Sequence, residues 1–308
     1  MNSESIVAVE NFQMKFGKRT VIEDLSFEVF SGEVFGFLGS NGSGKTTTIR
    51  TLLGIYEPTR GKLLINGKRF DSSESAFLGY LPEERGLYKK ESVLDTMVYF
   101  GELKNLSRTE ARKTSLEYLD RVGLADKAHK QLGSLSGGQQ QKIQLGVTMM
   151  NHPALLILDE PTKGLDPVNR RLMVDMVNER VKDGATVILV THHMDEVERL
   201  CDRVMLLKDG FRRLYGTLEE IRKTYGGNTV RVRFSGTLPE RTDLYRVRSR
   251  EGMSGAELLV ADNVESEAVL KFLANMPGIK LASFEAGRAS LEDLFVDIYS
   301  ENEKTSYA

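Results

Sequence analysis

"GSNGSGKTT", residues 39–47, is the stretch from which the fold can be read. It matches G-x-x-x-x-G-K-[ST] and stands between a short apolar run, "EVFGFLG" (33–39), and a helical one, "KTTTIRTLLG" (45–54). Strand, glycine loop and helix form the context in which this motif has a mechanism. The glycines let backbone N–H groups curl around a β-phosphate, the lysine carries charge to the β/γ oxygens, and the hydroxyl coordinates Mg²⁺. Gly39, Ser40, Asn41, Gly42, Ser43, Gly44, Lys45, Thr46 and Thr47 are therefore expected to hold ATP, with Thr46 on Mg²⁺. A glycine-rich turn with a chance lysine would not require both flanking elements.

Further along, "LLILDE" (155–160) and "TVILVTHH" (186–193) are continuous apolar runs of strand length with chemistry at their C-terminal ends. Between them lies a helical stretch, "NRRLMVDMVNERVKD" (169–183). This alternation argues for an α/β fold, a parallel sheet wrapped by helices. Open sheets of this kind bind ligands at the carboxyl ends of their strands. Asp159 is accordingly expected to be a Mg²⁺ partner, through water. Glu160 leaves the sheet in another direction and is the candidate to polarise an attacking water. His192 follows the second strand and is better placed than His193 to reach a γ-phosphate, so His193 is expected at the surface.

"SLSGGQQQK" (134–142) remains. Ser136 can cap a helix and Gln139 can reach back to it as in a capping box. That does not explain Gly137 and Gly138, which cost backbone entropy where a helix should nucleate. A glycine pair at a helix start suits a close anion. One ATP site is already complete, so Ser136, Gly137, Gly138 and Gln139 are expected to serve the nucleotide of another subunit. A dimer with two ATPs at its interface follows.

The rest of the chain frames this site. Val7 to Val29 holds two strand-like runs, an N-terminal antiparallel sheet; "GKLLINGKRF" (61–70) reads as a hairpin about Asn66-Gly67. A helical subdomain is expected over about 89–145. Composition shifts after "LEEIRKTYGGNT", with Gly226-Gly227-Asn228 as a hinge. Alternating strands, a helix near Glu265 to Asn275, a strand near Lys280 to Phe284 and a last helix from Ser290 then suggest a small α/β accessory domain. The expected domains are thus 1–225 and 226–308. Arg231 and Arg233, then Arg246, Arg248 and Arg250, alternate along strands and share one face each. Leu291, Leu294, Phe295 and Ile298 lie at helical spacing, as a core stripe does.

Composition narrows the partners. Lysine plus arginine (42) nearly balance aspartate plus glutamate (44), so the chain has no global pull towards nucleic acid. Its single cysteine, Cys201 in the helical pattern "EVERLCDRV", excludes an internal disulfide and reads as a small buried side chain. No apolar run approaches the roughly 20 residues that cross a bilayer. The start, "MNSESIVAVE", lacks a secretory pattern, and a cytosol-facing soluble chain is expected.

"GSNGSGKTT", "LSGGQQQK", "LLILDEPTKGLDP" and "VTHHMDE", in this order and spacing, resemble the ATP-binding subunit of an ABC transporter, over about residues 5 to 222. The resemblance implies an ATPase with ATP and Mg²⁺ as cofactors, in a P-loop cassette. It puts Ser136, Gly137, Gly138 and Gln139 on the partner's ATP across a head-to-tail dimer. It makes Glu160 the catalytic carboxylate, His192 the switch histidine and Gly164-Leu165-Asp166 the loop linking the two sites. Phe16, in "MKFGKRT", matches the aromatic that stacks on adenine.

Two positions depart from the family. Glutamine is usual where "GYLPEERGLY" has Glu83, and an ionised carboxylate only accepts hydrogen bonds and adds a full charge. Glu83 could bind Mg²⁺ more directly or sense it differently. Lys163 stands where serine is frequent before Gly164.

The resemblance also implies a separate multi-span membrane permease, a homodimer or a heterodimer with a related ATP-binding subunit, and residence at the cytoplasmic face of the membrane. "GYLPEERGLYKK" and "RASLEDLFVDIY" look most like the exporter branch that includes sodium-efflux and drug-efflux subunits. The alternative is a soluble ABC ATPase acting on ribosomes or nucleic acid. Such proteins usually carry two cassettes or long coiled-coil insertions, whereas this helical insert is short and without sustained heptads. A P-loop kinase would leave "LSGGQ" without a purpose.

Overall fold

The computed structural model describes residues 4–71, 73, 76–84, 86–225, 228–261, 263–288, 291 and 294–295. They divide into two compact units, Met1–Gly216 and Thr217–Ala308. This division falls ahead of the hinge expected at Gly226-Gly227, two residues outside the described set.

The first unit contains one nine-stranded sheet, ordered β4 (Arg60–Ile65), β1 (Ser5–Phe16), β2 (Arg19–Phe30), β9 (Phe211–Thr217), β8 (Arg203–Lys208), β3 (Val34–Leu38), β7 (Thr186–Val190), β6 (Leu155–Asp159) and β5 (Leu78–Leu81). Its centre is β3 (Val34–Leu38), β6 (Leu155–Asp159) and β7 (Thr186–Val190), in which every residue is buried. Strands covered on both faces read as continuous apolar runs, as these three do. β3 pairs in parallel with β7 and with β8 (Arg203–Lys208), and β6 pairs in parallel with β7 and β5 (Leu78–Leu81). All their carboxyl ends thus reach one edge. β1 (Ser5–Phe16) pairs antiparallel with β2 (Arg19–Phe30) and with β4 (Arg60–Ile65). This antiparallel part is continuous with the parallel one through the pairing of Asp24 with Phe211, the first residue of β9 (Phe211–Thr217).

Two local readings change. Asn66 and Gly67 do form a tight turn, both at positive φ (51° and 74°), but its return arm is a single Ile65–Lys68 bridge rather than a strand. The helical pattern around Cys201 ends earlier: α6 (Met194–Leu200) stops with Cys201 as its C-cap. Asp202 then accepts the Val34 N–H at 2.8 Å, which pins the start of β8 beside β3. Cys201 is buried, and burial pushes its thiol pKa well up, so it is inert.

Helices flank the sheet: α1 (Lys45–Leu52) after the glycine loop, then α2 (Val93–Leu103), α3 (Arg108–Arg121), α4 (Gly137–Met149) and α5 (Pro167–Lys182). Ser107 and Glu110 close a capping box at the start of α3. α3 meets α4 where Gly146 faces the Tyr118 ring; a Cβ at Gly146 would lie 2.4 Å from its Cε1. The Tyr118 hydroxyl donates to the Lys142 carbonyl at 2.6 Å, fixing the ring there. Gly146→Ala is therefore expected to destabilise by about 1–3 kcal/mol through overpacking, despite its better helix propensity. A lowered midpoint in thermal or urea unfolding checks this.

The second unit has α7 (Leu218–Tyr225) and a four-stranded antiparallel sheet, ordered β11 (Tyr245–Glu251), β12 (Gly255–Val260), β10 (Asn228–Ser235) and β13 (Lys280–Arg288). Val230, Val232, Phe234 and Leu258 form its core with Val269 and Leu273 of α8 (Ser266–Ala274). Arg231 and Arg233 alternate with these and are exposed, Arg231 lying 4.0 Å from Glu251. A register irregularity between Val247 and Ser249 interrupts the β11 row of arginines. Leu291, Leu294 and Phe295 are buried; Ser290 and Ile298 lie outside the described residues.

Candidate nucleotide site

The glycine loop leaves β3 in conformations that L side chains avoid. Gly39 has φ 154° and a Cβ there would lie 2.4 Å from the Leu207 carbonyl oxygen; Gly44, at φ 110°, caps α1. Lys45 opens the helix and is buried, its ammonium donating to the carbonyls of Gly39 (2.8 Å) and Ser40 (3.1 Å). Burial lowers its pKa, opposed by the charges of Asp159, Glu160 and Glu83.

Asp159 ends β6, and its Oδ2 accepts from the Thr46 hydroxyl at 3.4 Å. Burial raises its pKa to about 6, with Glu83 and Glu160 adding to the rise and Lys45 opposing it. Glu160 follows at φ 50°, a left-handed backbone that is costly for a non-glycine residue. Its N–H donates to the Val190 carbonyl at 2.8 Å, and this bond holds the turn. The turned side chain places Oε1 2.7 Å from His192 Nδ1, while Oε2 is buried with no hydrogen-bond partner among the described residues. The His192 side chain remains 62% exposed. His193 is half-buried rather than at the surface, and its ring lies 4.2 Å from that of His192.

Gly44, Lys45, Thr46, Asp159 and Glu160 line a cavity of about 340 Å³ that also takes in Asn41, Gly42, Thr47 and Arg19; Gly39, His192 and His193 are not in its lining. Glu83 reaches it from the loop after β5, with its Oε1 2.6 Å from Lys163 Nζ. Arg19 was missed because nothing in "FGKRT" distinguishes it from a solvated charge. Phe16 does not line the cavity. It is 45% exposed and meets Tyr56 edge-on, with ring centroids 5.4 Å apart.

Ser136, Gly137, Gly138 and Gln139 are absent from this lining. They form the start of α4, where Ser136 N–H donates to Gln139 Oε1 (2.9 Å) and Gln139 N–H to Ser136 Oγ (3.3 Å). The capping box is thus formed, and it leaves the glycine pair unexplained. Gly138 backs onto the Gly164 carbonyl, which a Cβ would approach to 3.2 Å. Two further amides of this helix, unremarked in "QQQKIQ", tie it to the site. Gln141 donates to the Pro161 carbonyl at 3.0 Å, and Gln144 to those of Pro82 (3.3 Å) and Glu84 (3.2 Å).

Asp166 caps α5 by accepting from the N–H groups of Val168 and Asn169, both at 3.0 Å, and those bonds lower its pKa. Glu196 is buried between the loops after β6 and β7, accepting from Thr162 (2.5 Å) and Thr191 (3.4 Å). Burial raises its pKa.

A parallel sheet ending in a glycine cradle, a buried lysine and two acids is the site of a P-loop nucleoside triphosphatase. Residues 22–163 match the family model described as ABC transporter, and residues 216–299 match the C-terminal domain of DrrA1-3-like ATP-binding proteins. The chain is 38% identical over 291 residues to an uncharacterized ABC transporter ATP-binding protein of Methanocaldococcus jannaschii, covering 94% of this chain and 98% of that protein. It is 34% identical to the linearmycin resistance ATP-binding protein LnrL of Bacillus subtilis over 73% of each chain. It is also 32% identical to the Nod factor export ATP-binding protein I of a Rhizobium species, over 96% of this chain and 97% of that one. A solved ATP-binding subunit of an ABC transporter superposes with a TM-score of 0.68 at 30% identity, covering 72% of this chain and 93% of that one. The chain belongs to the ATP-binding subunits of ABC transporters, a family of ATPases.

Proposed function

We propose that this chain is the ATP-hydrolysing motor of a membrane exporter, acting with a separate multi-span permease and as a dimer of ATP-binding subunits. The observation that carries the exporter reading is the Nod factor export likeness, which spans both units of the chain. Among the described residues no helix is long and apolar enough to cross a membrane.

Thr46, Asp159 and Glu83 all line this pocket and offer hydroxyl and carboxylate oxygens, a donor set that suits Mg²⁺. When bound there, Mg²⁺ neutralises phosphate charge. Residues 39–47 bind the phosphates, with Lys45 directed at the β/γ oxygens. The orphaned Oε2 of Glu160 is placed to take the proton of an attacking water, and His192 orients that carboxylate through Oε1. Phe16, partly exposed at the end of β1, supplies a ring face for adenine. Ser136, Gly137, Gly138 and Gln139 meet the γ-phosphate of the partner's ATP, and the Asp166 loop, touching Gly138, links the two sites.

A groove of about 530 Å³ between the Glu83 loop, α2 and α4 supports permease docking. Leu87, Phe100, Leu103 and Val147 line it, and Lys104 anchors its edge by donating to the Thr148 carbonyl at 3.1 Å. Leu103 is exposed, so Leu103→Asp is expected to leave folding and ATP binding intact while abolishing co-purification of the permease. The deciding experiment is a mild-detergent pull-down of the tagged chain from its native cells. A multi-span protein in stoichiometric amount would support the motor. Recovery with ribosomes or nucleic acid, and no membrane protein, would overturn it.

A further inference from the structure

The two residues that depart from the family pattern meet in space. Glu83 follows β5 and Lys163 follows β6, eighty residues later in the chain, yet Oε1 and Nζ are 2.6 Å apart. The pair is partly open to solvent, with the side chains 42% and 57% exposed, so its contribution to stability is small. Its position is what matters. Glu83 is one of three carboxylates lining the phosphate pocket, with Asp159 and Glu160. A neutral amide at this position would face a triphosphate without repulsion. A carboxylate would repel it unless a cation is held against it, and Lys163 is that cation.

We infer that Glu83 and Lys163 are a matched pair that sets the charge of the nucleotide pocket, with Lys163 acting as a positioning residue. Lys163 neutralises the third carboxylate and turns it towards the loop that carries Gly164 and Asp166. The loop lining the phosphate pocket is thereby tethered to the loop that backs the helix start at Gly138. In a chain with the usual amide and serine, the same two positions would lack this tether. The inference rests on the ATP-site reading above.

The test is a cycle of Lys163→Ser, Glu83→Gln and the double variant, with Lys163→Arg as a pairing-competent control. ATP affinity is measured by titration calorimetry in EDTA, which removes any role of Glu83 as a metal ligand. Lys163→Ser should weaken ATP binding roughly 5- to 10-fold at low salt, shrinking as salt screens the exposed carboxylate. Adding Glu83→Gln should recover most of that loss, and Lys163→Arg should stay near the wild type. A double variant as weak as Lys163→Ser alone, or Lys163→Ser with unchanged affinity, would overturn the pair. A wild-type chain that binds no ATP would instead overturn the site reading on which it rests.

Discussion

Replacing Glu160 by glutamine is expected to lower ATP turnover by at least about 100-fold, within the usual range for removal of a general base. The substitution keeps size and shape, and the left-handed backbone at this position is retained, held by the N–H bond to Val190. One side-chain oxygen can still meet His192 Nδ1, now 2.7 Å from Oε1. What disappears is a second oxygen able to take a proton, the buried Oε2 with no partner among the described residues. ATP affinity should remain within about threefold, because removing one of three pocket carboxylates reduces repulsion rather than attraction. With binding intact and hydrolysis slow, the variant should accumulate as an ATP-dependent dimer on size exclusion. Turnover near the wild-type rate would show that another group takes the proton. His192→Ala should give a smaller loss, since it frees the carboxylate without removing it.

The phosphate site was legible because its parts are local. Residues 33–54 state strand, loop and helix in one continuous stretch, and the all-buried strands β6 and β7 carry their acids and histidine at their ends. What local reading cannot supply is the meeting of distant loops. In the sequence Glu83 and Lys163 stand out only as two separate departures from the family pattern, and it is the parallel pairing of β5 with β6 that brings their loops side by side. Glu196 and Arg19 were hidden for the same reason. β8 and β9 went unread because α6 is only seven residues long and carries no capping glycine to mark its end. The left-handed backbone of Glu160 breaks local preference, and the tertiary bond to Val190 that compensates is invisible in sequence. At the α4 start the capping box is legible in the sequence and is formed, whereas the close approach of Gly138 to the Gly164 carbonyl is another meeting of distant segments.

Lys45→Ala separates function from folding most sharply. The ammonium is buried against two loop carbonyls, and burial lowers its pKa, so folding the charged form carries a desolvation penalty. Alanine removes that penalty together with two hydrogen bonds, and the melting temperature of the nucleotide-free chain should change little. The effect on ATP should be large. Without Lys45, the triphosphate would enter a pocket holding Asp159, Glu160 and Glu83, with Arg19 as the remaining cation of its lining. Loss of a desolvated charge partner is typically about 2–5 kcal/mol, or roughly 30- to several-thousand-fold in affinity. Lys45→Arg should fail nearly as badly, because a planar fork of five donors does not fit where a compact ammonium bonds the Gly39 and Ser40 carbonyls. Calorimetric titration with ATP and Mg²⁺, alongside thermal unfolding without nucleotide, reads both quantities. Affinity and stability falling together would make Lys45 a structural residue of the loop. Affinity alone collapsing would make it the cation that the triphosphate requires.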